Sequence, residues 1–315
     1  MPGDIQIRQL QYLAALARER HFSRAAAACH ASQPALSAAI RKLETELGVT
    51  IVQRKQRFTG FTAEGEQVVA WAHRILAERD ALLVDLSRMR EGLTATLRIG
   101  AIPTAIPAAP LLTGPFCDHH PRAGVRLDLC SSQEIDRRLA EFDIDIGLTY
   151  LTGEQNAEVK ELALYSETYL LLTPCENDLA DRDTVSWNEA AAQPLCALGR
   201  EMQSRRILES TMARVGAQLQ PVIETSTVGA LYAHVATRRF SSIIAHPWLY
   251  AFGVPRGMRV VRLEPQPRSP QVGVVWSAQR HESVVATAFF DATRDIDLAG
   301  QLDATLTDAL ARPPV

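Results

Sequence analysis

The chain has 315 residues, 47% of them hydrophobic and 22% charged, at a mean hydropathy of −0.05. That is an ordinary globular composition, but too long for one core, so two or more domains are expected. The net charge of −3 conceals a split: residues 1–60 hold nine Lys/Arg against four Asp/Glu, a surplus of +5, which leaves −8 on the rest. A basic head on an acidic body suits a chain in which only one module meets phosphate.

The N-terminus, MPGDIQIRQL, lacks the basic-then-apolar order of a secretory leader, and no run of roughly 18 apolar residues occurs anywhere. Neither export nor a membrane-spanning helix is expected, and the location expected is cytoplasmic. Residues 5–20 repeat apolar side chains (Ile5, Leu10, Leu13, Leu16, Ala17) with helical period. Ser23, preceded by Phe22 at a hydrophobic-staple position, is expected to cap a second, Ala-rich helix reaching about His30. Ser32 is expected to cap a third helix, with Pro34 in its first turn and Gly48 ending it. Val49–Val52 reads as a short strand and Arg54–Gly60 as a basic turn, with Phe58 and Phe61 leading back to make a small β-wing. Thr62 opens the longest helix, about Ala63–Glu91, with Glu64 and Glu66 near its start and Arg88 and Arg90 near its end; Gly92 stops it. Its seam, Val68, Ala72, Ile75, Arg79, Leu82, Leu86, Met89, alternates spacings of four and three, the pattern of a helix that pairs with another.

The third helix carries the chemistry of this half. Leu36, Ile40, Leu43 and Leu47 form one apolar stripe; Gln33, Ser37 and Arg41 lie on another face, with Pro34 beside them. A polar face backed by an apolar one is what a helix in the DNA major groove needs. Gln33 suits an adenine edge, Arg41 a guanine or a phosphate, and Ser32 with the helix N-terminus a phosphate. The wing residues Arg54, Lys55 and Arg57 suit backbone or minor-groove contact.

From residue 96 the pattern changes. LRIGA, VRLDL, DIGLTY, YLLLT, SSIIA and VGVVW alternate with helical stretches at Gln133–Phe142, Gln203–Val215, Val228–Arg238 and His281–Arg294. This predicts a mostly parallel sheet with crossover helices, divided into two lobes. Ligands of such sheets bind beyond the carboxyl ends of the strands, at helix N-termini. Hydroxyls recur there: Thr104, Ser131 with Ser132, Thr149, and Thr225 with Ser226 and Thr227. Each also reads as a simple helix cap; their recurrence favours a site for a small anion. Gln203, Arg205 and His246 are further candidates. His119-His120, before Pro121, reads as a solvated loop.

The stretch Leu10–Gly65 resembles the LysR-type transcriptional regulators. The resemblance is carried by LQYLAALARERHFSRAAAACHASQPALSAAIRKLETELGV, by Arg54 and by TAEGE at 62–66; its most specific block is Ser32-Gln33-Pro34-Ala35-Leu36-Ser37 with Ile40, Leu43, Glu44 and Leu47. It implies an α/β chain overall: a winged helix-turn-helix over 1–62, a linker (dimerisation) helix over 63–92, and an effector-binding domain over 93–315. That domain would resemble periplasmic binding proteins, with lobe 1 at about 94–165 and 269–300 and lobe 2 at about 166–268. By the same resemblance Ser32, Gln33, Pro34, Ser37 and Arg54 approach DNA, Thr104 and Ser132 meet the effector, and the chain forms a homotetramer acting on promoter DNA with RNA polymerase. Ala38 and Ala39 stand where members often carry Arg and Gln, which removes a phosphate or base contact. IDIGLTYL and EMQSRRI are similar to a subgroup associated with regulation of formate dehydrogenase genes, which places formate among the small carboxylates and other anions expected as effector.

Enzymatic activity is not expected: GxSxG, HExxH, P-loop and GxGxxG motifs are all missing. The five cysteines (Cys29, Cys117, Cys130, Cys175, Cys196) make no CxxC pair, so reduced thiols, with no metal and no cofactor, are expected. A transport-binding protein shares the two-lobed architecture but needs export. A thiol redox sensor of the same family is the remaining alternative, because Cys196 lies near the place where peroxide-sensing relatives carry a reactive cysteine. No cysteine follows it.

Overall fold

The computed structural model describes residues 4–54, 58–151, 158–266, 269–278 and 283–311. They fall into two compact units. One is built on Met1–Thr94 with the short stretches Ala140–Asp143 and Arg280–Val284; the other is built on Ala95–Leu139, Ile144–Gln279 and Val285–Val315.

In the first unit, α1 (Ile7–Glu19), α2 (Phe22–Ala28) and α3 (Gln33–Leu47) precede a hairpin of β1 (Val52–Arg54) and β2 (Phe58–Phe61), then α4 (Ala63–Glu91). Leu10, Leu13 and Leu16 of α1 share a core with Leu36, Ile40 and Leu43 of α3, and the small Ala25 and Ala26 of α2 complete it. Each of the six larger side chains contributes about 1.5–3 kcal/mol on burial. That sum outweighs any cap, so the stripe fixes the rotation of α3 and turns its polar face outward. Ser32 caps α3, its Oγ accepting the Ala35 N–H at 3.3 Å, and Gly48 closes it at φ +68°. Glu44 Oε1 accepts the N–H groups of Ile51 (3.0 Å) and Val52 (3.1 Å), tying the wing to α3; the strand therefore pairs from Val52, later than the sequence pattern suggests.

The start of α2 also differs from expectation. His21, not Ser23, is its N-cap, and its side chain makes no capping hydrogen bond. Phe22 belongs to the helix and packs edge-on against Phe58 at 6.1 Å, while the Ser23 hydroxyl donates to Gln33 Oε1 at 2.7 Å. Thr62 caps α4, accepting the Gly65 N–H at 2.9 Å. A Cβ on Gly65 would lie 2.1 Å from the Ile51 carbonyl oxygen, which is why glycine stands in TAEGE. Along the α4 seam Ala72 is buried and Val68 packs on the unit's core, while Ile75, Leu82, Leu86 and Met89 are exposed.

The second unit begins with β3 (Thr96–Ala101), a 3-10 turn at Ile106–Ala108, α5 (Pro110–His119), β4 (Gly124–Leu129), α6 (Ser132–Ala140), β5 (Ile146–Tyr150) and β6 (Val159–Ser166). The second lobe holds β7 (Tyr169–Pro174), β8 (Thr184–Ser186), α7 (Trp187–Ala191), β9 (Cys196–Leu198), α8 (Gln203–Arg214), β10 (Ile223–Thr225), α9 (Val228–Val235), β11 (Ser242–Ala245), α10 (Pro247–Phe252) and β12 (Met258–Glu264). β13 (Gln271–Ser277) and α11 (Val284–Thr293) return to the first lobe, and α12 (Leu298–Ala311) packs on α10 and β12 of the second.

The sheets run in the orders β4-β3-β5-β13-β6 and β11-β7-β12-β8, with β9 and β10 as a separate pair. They are mixed rather than mostly parallel. β3 is parallel to β4 and β5, but β13 runs against β5 and β6, and β7 runs against β11 and β12. The cause is that the chain passes outward between β6 and β7 and back between β12 and β13, so the strands flanking these crossings oppose each other. The outward crossing is Glu167–Thr168. It is pinned by a reciprocal pair: Thr168 N–H donates to His246 Nδ1 at 3.0 Å, and His246 N–H donates to the Thr168 carbonyl at 2.9 Å. His119 lies on α5 rather than in a loop, whereas His120 is its non-helical C-cap and begins the connection expected there. His119 ends α5 with Nδ1 2.8 Å from the Pro115 carbonyl, and the His120 ring lies 5.2 Å from Phe116.

Candidate DNA-reading and effector sites

The outward face of α3 begins at its N-terminus. Ser32, Gln33, Pro34 and Arg41 are exposed and Ser37 is half-buried, so these five share one accessible surface backed by the buried Leu36, Ile40 and Leu43. The Ser23 bond to Gln33 Oε1 adds a residue that spacing did not reveal: it orients the glutamine amide from the preceding helix. Ala38 is also exposed and offers no hydrogen bond there. The backbone of Arg54 ends β1; Lys55 and Arg57 lie outside the described residues.

The second unit contains a cavity of about 450 Å³ between its lobes. Thr104, Ser131, Ser132 and Gln203 line it, so four of the ten residues named as effector candidates are brought together. α6 and α8 direct their N-termini toward it, each supplying N–H groups without intrahelical partners and a partial positive charge. The Ser132 hydroxyl bridges the lobes: it lies 2.8 Å from Thr149 Oγ1 and donates to the Gln203 side-chain carbonyl. Thr149 is buried behind Ser132 and supports it. Ser131 caps α6, accepting the Glu134 N–H at 3.2 Å. Thr104 is wholly buried, with Oγ1 3.1 Å from the Tyr150 hydroxyl.

Thr225 and His246, like Thr149, do not line the cavity. The Thr225 hydroxyl donates to the Thr227 carbonyl at 3.2 Å, and Thr227 caps α9; these are turn and cap roles. His246 is buried at the interlobe crossing, where Thr168 occupies its Nδ1, and burial lowers its pKa to about 4. Arg205 is likewise inward, donating to the Leu198 carbonyl at 2.7 Å and to Glu224 at 3.1 Å, whereas its neighbour Arg206 lines the cavity. Sequence reasoning also missed Tyr150 and, behind it, Glu167. The signal for Glu167 was a lone acid in YSETYLLL, inside an otherwise apolar run. Burial pushes Glu167 up to about 8 and Tyr150 well above the ordinary tyrosine range.

Comparison with known families decides the assignment. Residues 7–66 match the model described as bacterial regulatory helix-turn-helix protein, lysR family, and residues 90–296 match the LysR substrate binding domain. The chain belongs to the LysR family. Its members are transcriptional regulators, and this LysR-family chain carries both the helix-turn-helix and the substrate-binding domain. A hydrogen peroxide-inducible genes activator of Pectobacterium carotovorum subsp. carotovorum is 34% identical over 199 residues, 62% of this chain and 64% of that protein. The match thus spans somewhat under two thirds of that curated relative. A full-length OxyR variant from Pseudomonas aeruginosa is 25% identical with a TM-score of 0.71, over 95% of this chain and 97% of that one. Full-length CbnR in complex with its target DNA shares the fold at 20% identity and a TM-score of 0.61, over 92% and 99%. Among the described residues no helix is long and apolar enough to cross a membrane.

Proposed function

We propose that this LysR-family chain is a sequence-specific DNA-binding transcriptional regulator controlled by a small anionic effector in the interlobe cavity. The observation that carries the reading is the outward face of α3: Ser32, Gln33, Pro34, Ser37 and Arg41 on one accessible surface, held by a buried leucine stripe. In this reading residues 1–62 are the DNA-binding domain, 63–92 the linker helix and 93–315 the effector domain. Arg54, with Lys55 and Arg57, flanks the groove. The exposed distal seam of α4 supports pairing of linker helices and assembly into a homotetramer. The regulator works in the cytoplasm on promoter DNA with RNA polymerase.

Footprinting over the DNA upstream of its own gene tests the reading, with protection expected at modest salt. Gln33→Ala is expected to cost about 1–3 kcal/mol of binding and to relax base choice. Unchanged affinity and base preference in that variant would remove α3 from the groove. For the effector, two helix N-termini and a ring of hydroxyls support a small carboxylate or similar anion, formate among them. Thr104→Val is expected to blunt the effector response with DNA binding intact.

Peroxide sensing is the second reading, favoured by the printed function of the Pectobacterium relative. Thiol chemistry here argues against Cys196 as the sensor. Cys196 is fully buried on β9 and burial pushes it up to about 11, which starves it of the reactive thiolate. Mass spectrometry after mild peroxide is expected to find Cys196 unmodified; selective oxidation there would favour the redox reading.

A further inference from the structure

The cavity floor continues into a buried polar cluster centred on Glu167, on the segment joining β6 to β7. Glu167 is 1% exposed. The Tyr150 hydroxyl lies 3.2 Å from both of its carboxyl oxygens, and the Tyr169 hydroxyl lies 3.5 Å from Oε2. Thr104, 3.1 Å from the Tyr150 hydroxyl, also bonds to the carboxyl. Tyr165 faces Glu167 from β6, with the His246 ring edge-on to it at 6.1 Å. Arg205 borders the same small void, but its guanidinium is held by the Leu198 carbonyl, Glu209 and Glu224. Among the described residues no cation pairs with Glu167.

The protonation state of Glu167 sets which way the hydroxyl hydrogens of the cluster point. An ionised Glu167 only accepts, so the surrounding hydroxyls turn their hydrogens toward it and leave lone pairs facing the cavity. A protonated Glu167 supplies a hydrogen to the cluster, and a hydroxyl of Thr104 or Tyr150 is released to donate into the cavity that both residues line. The first state suits a cationic or donor group; the second suits an anion. Burial without a paired cation disfavours the first.

We propose that Glu167 is the charge-selecting residue of the cavity: it directs the hydroxyl hydrogens of Thr104 and Tyr150, makes the floor a donor toward an anionic headgroup, and couples binding of that anion to the proton it carries. This rests on the effector reading of the cavity given above. Burial pushes Glu167 up to about 8, so at pH 7 the proton is in place and the floor is preset. Above about pH 8 the anion binds together with one proton, taken from solvent onto the Glu167 carboxyl. Apparent affinity then falls about tenfold per pH unit.

The test is a pH titration by carbon-13 NMR of the full chain labelled at glutamate Cδ, comparing wild type with Glu167→Gln and Tyr150→Phe. Sodium acetate is the anion probe, against sodium chloride at equal ionic strength. One resonance, absent from Glu167→Gln, is expected in the protonated-acid range at pH 7. It should cross to the carboxylate range near pH 8, with a midpoint that acetate raises. Tyr150→Phe keeps the carboxyl and removes one donor, so it should move the same midpoint and assign the resonance even where Glu167→Gln does not fold. A Glu167 resonance in the carboxylate range at pH 7, or a midpoint that acetate leaves in place, overturns the proposal. The effector reading fails by a different sign: Thr104→Val leaves the effector response intact, whatever Glu167 does.

Discussion

His246 accepts the Thr168 N–H at Nδ1, so that nitrogen carries no proton in the folded chain. Burial lowers its pKa from 6.5 to about 4, opposed by Asp303 at 3.9 Å from Nε2. As pH falls from about 6.5 to about 4 the unfolded chain gains this proton first, so stability present above pH 6.5 is lost through that window, by up to about 3 kcal/mol. His246→Asn keeps an acceptor opposite Thr168 but does not titrate. Urea melts at pH 7 and pH 5 are expected to show a smaller loss in the variant, and equal losses would assign the slope to other groups. Glu167 has the opposite sign. Its carboxyl is raised from 4.5 to about 8, so its contribution is fully present below pH 4.5 and is lost as pH climbs toward 8. Glu167→Gln is expected to flatten stability over that range. Neither environment was legible from residue type: a histidine and a glutamate read as ligands or surface charges until burial and partners are known.

α4 shows what an element's sequence states and what it withholds. Its Thr62 cap, its length and its seam follow from local pattern, because caps and heptad spacing need no distant partner. The reason for Gly65 lies in the Ile51 carbonyl, which only the folded hairpin brings near. Gly65→Ala is expected to cost about 1–3 kcal/mol in a thermal melt, since backbone must yield to the new methyl group. Gly114→Ala, inside α5 with nothing within 4 Å of the added carbon, should instead stabilise by about 0.5–1 kcal/mol. Melts that moved together would show that contact is not the discriminant. On the distal seam, Leu82→Glu paired with Leu86→Glu is expected to reduce the sedimenting mass of the assembly without lowering helicity; unchanged mass would place pairing elsewhere. α5, α7, α10 and α12 escaped the pattern. α5 carries Pro115 and Gly114 internally, and α10 has six residues, too few for an apolar period to declare itself.

For the whole molecule, charge separation makes one demand. A basic first sixty residues on an acidic remainder should bind DNA with strong salt dependence. If six or more phosphates are neutralised per complex, affinity should fall by about 10³-fold or more between 50 and 200 mM salt, and a flat response would argue against phosphate contact. The order of residues alone determined the helix-turn-helix unit. Its signals are local: a serine cap, a glycine stop, and leucines at helical spacing whose burial sets the rotation of α3. It also determined that hydroxyls cluster at strand-to-helix junctions. Only the tertiary structure decided which of them meet. Thr104, Ser132, Tyr150, Glu167 and Gln203 are spread over about a hundred residues and converge because the chain crosses from the first lobe to the second at Glu167–Thr168, while Thr225 and His246 are carried elsewhere by the same path. A group's protonation follows from the dielectric and the partners around it, and long-range packing creates both.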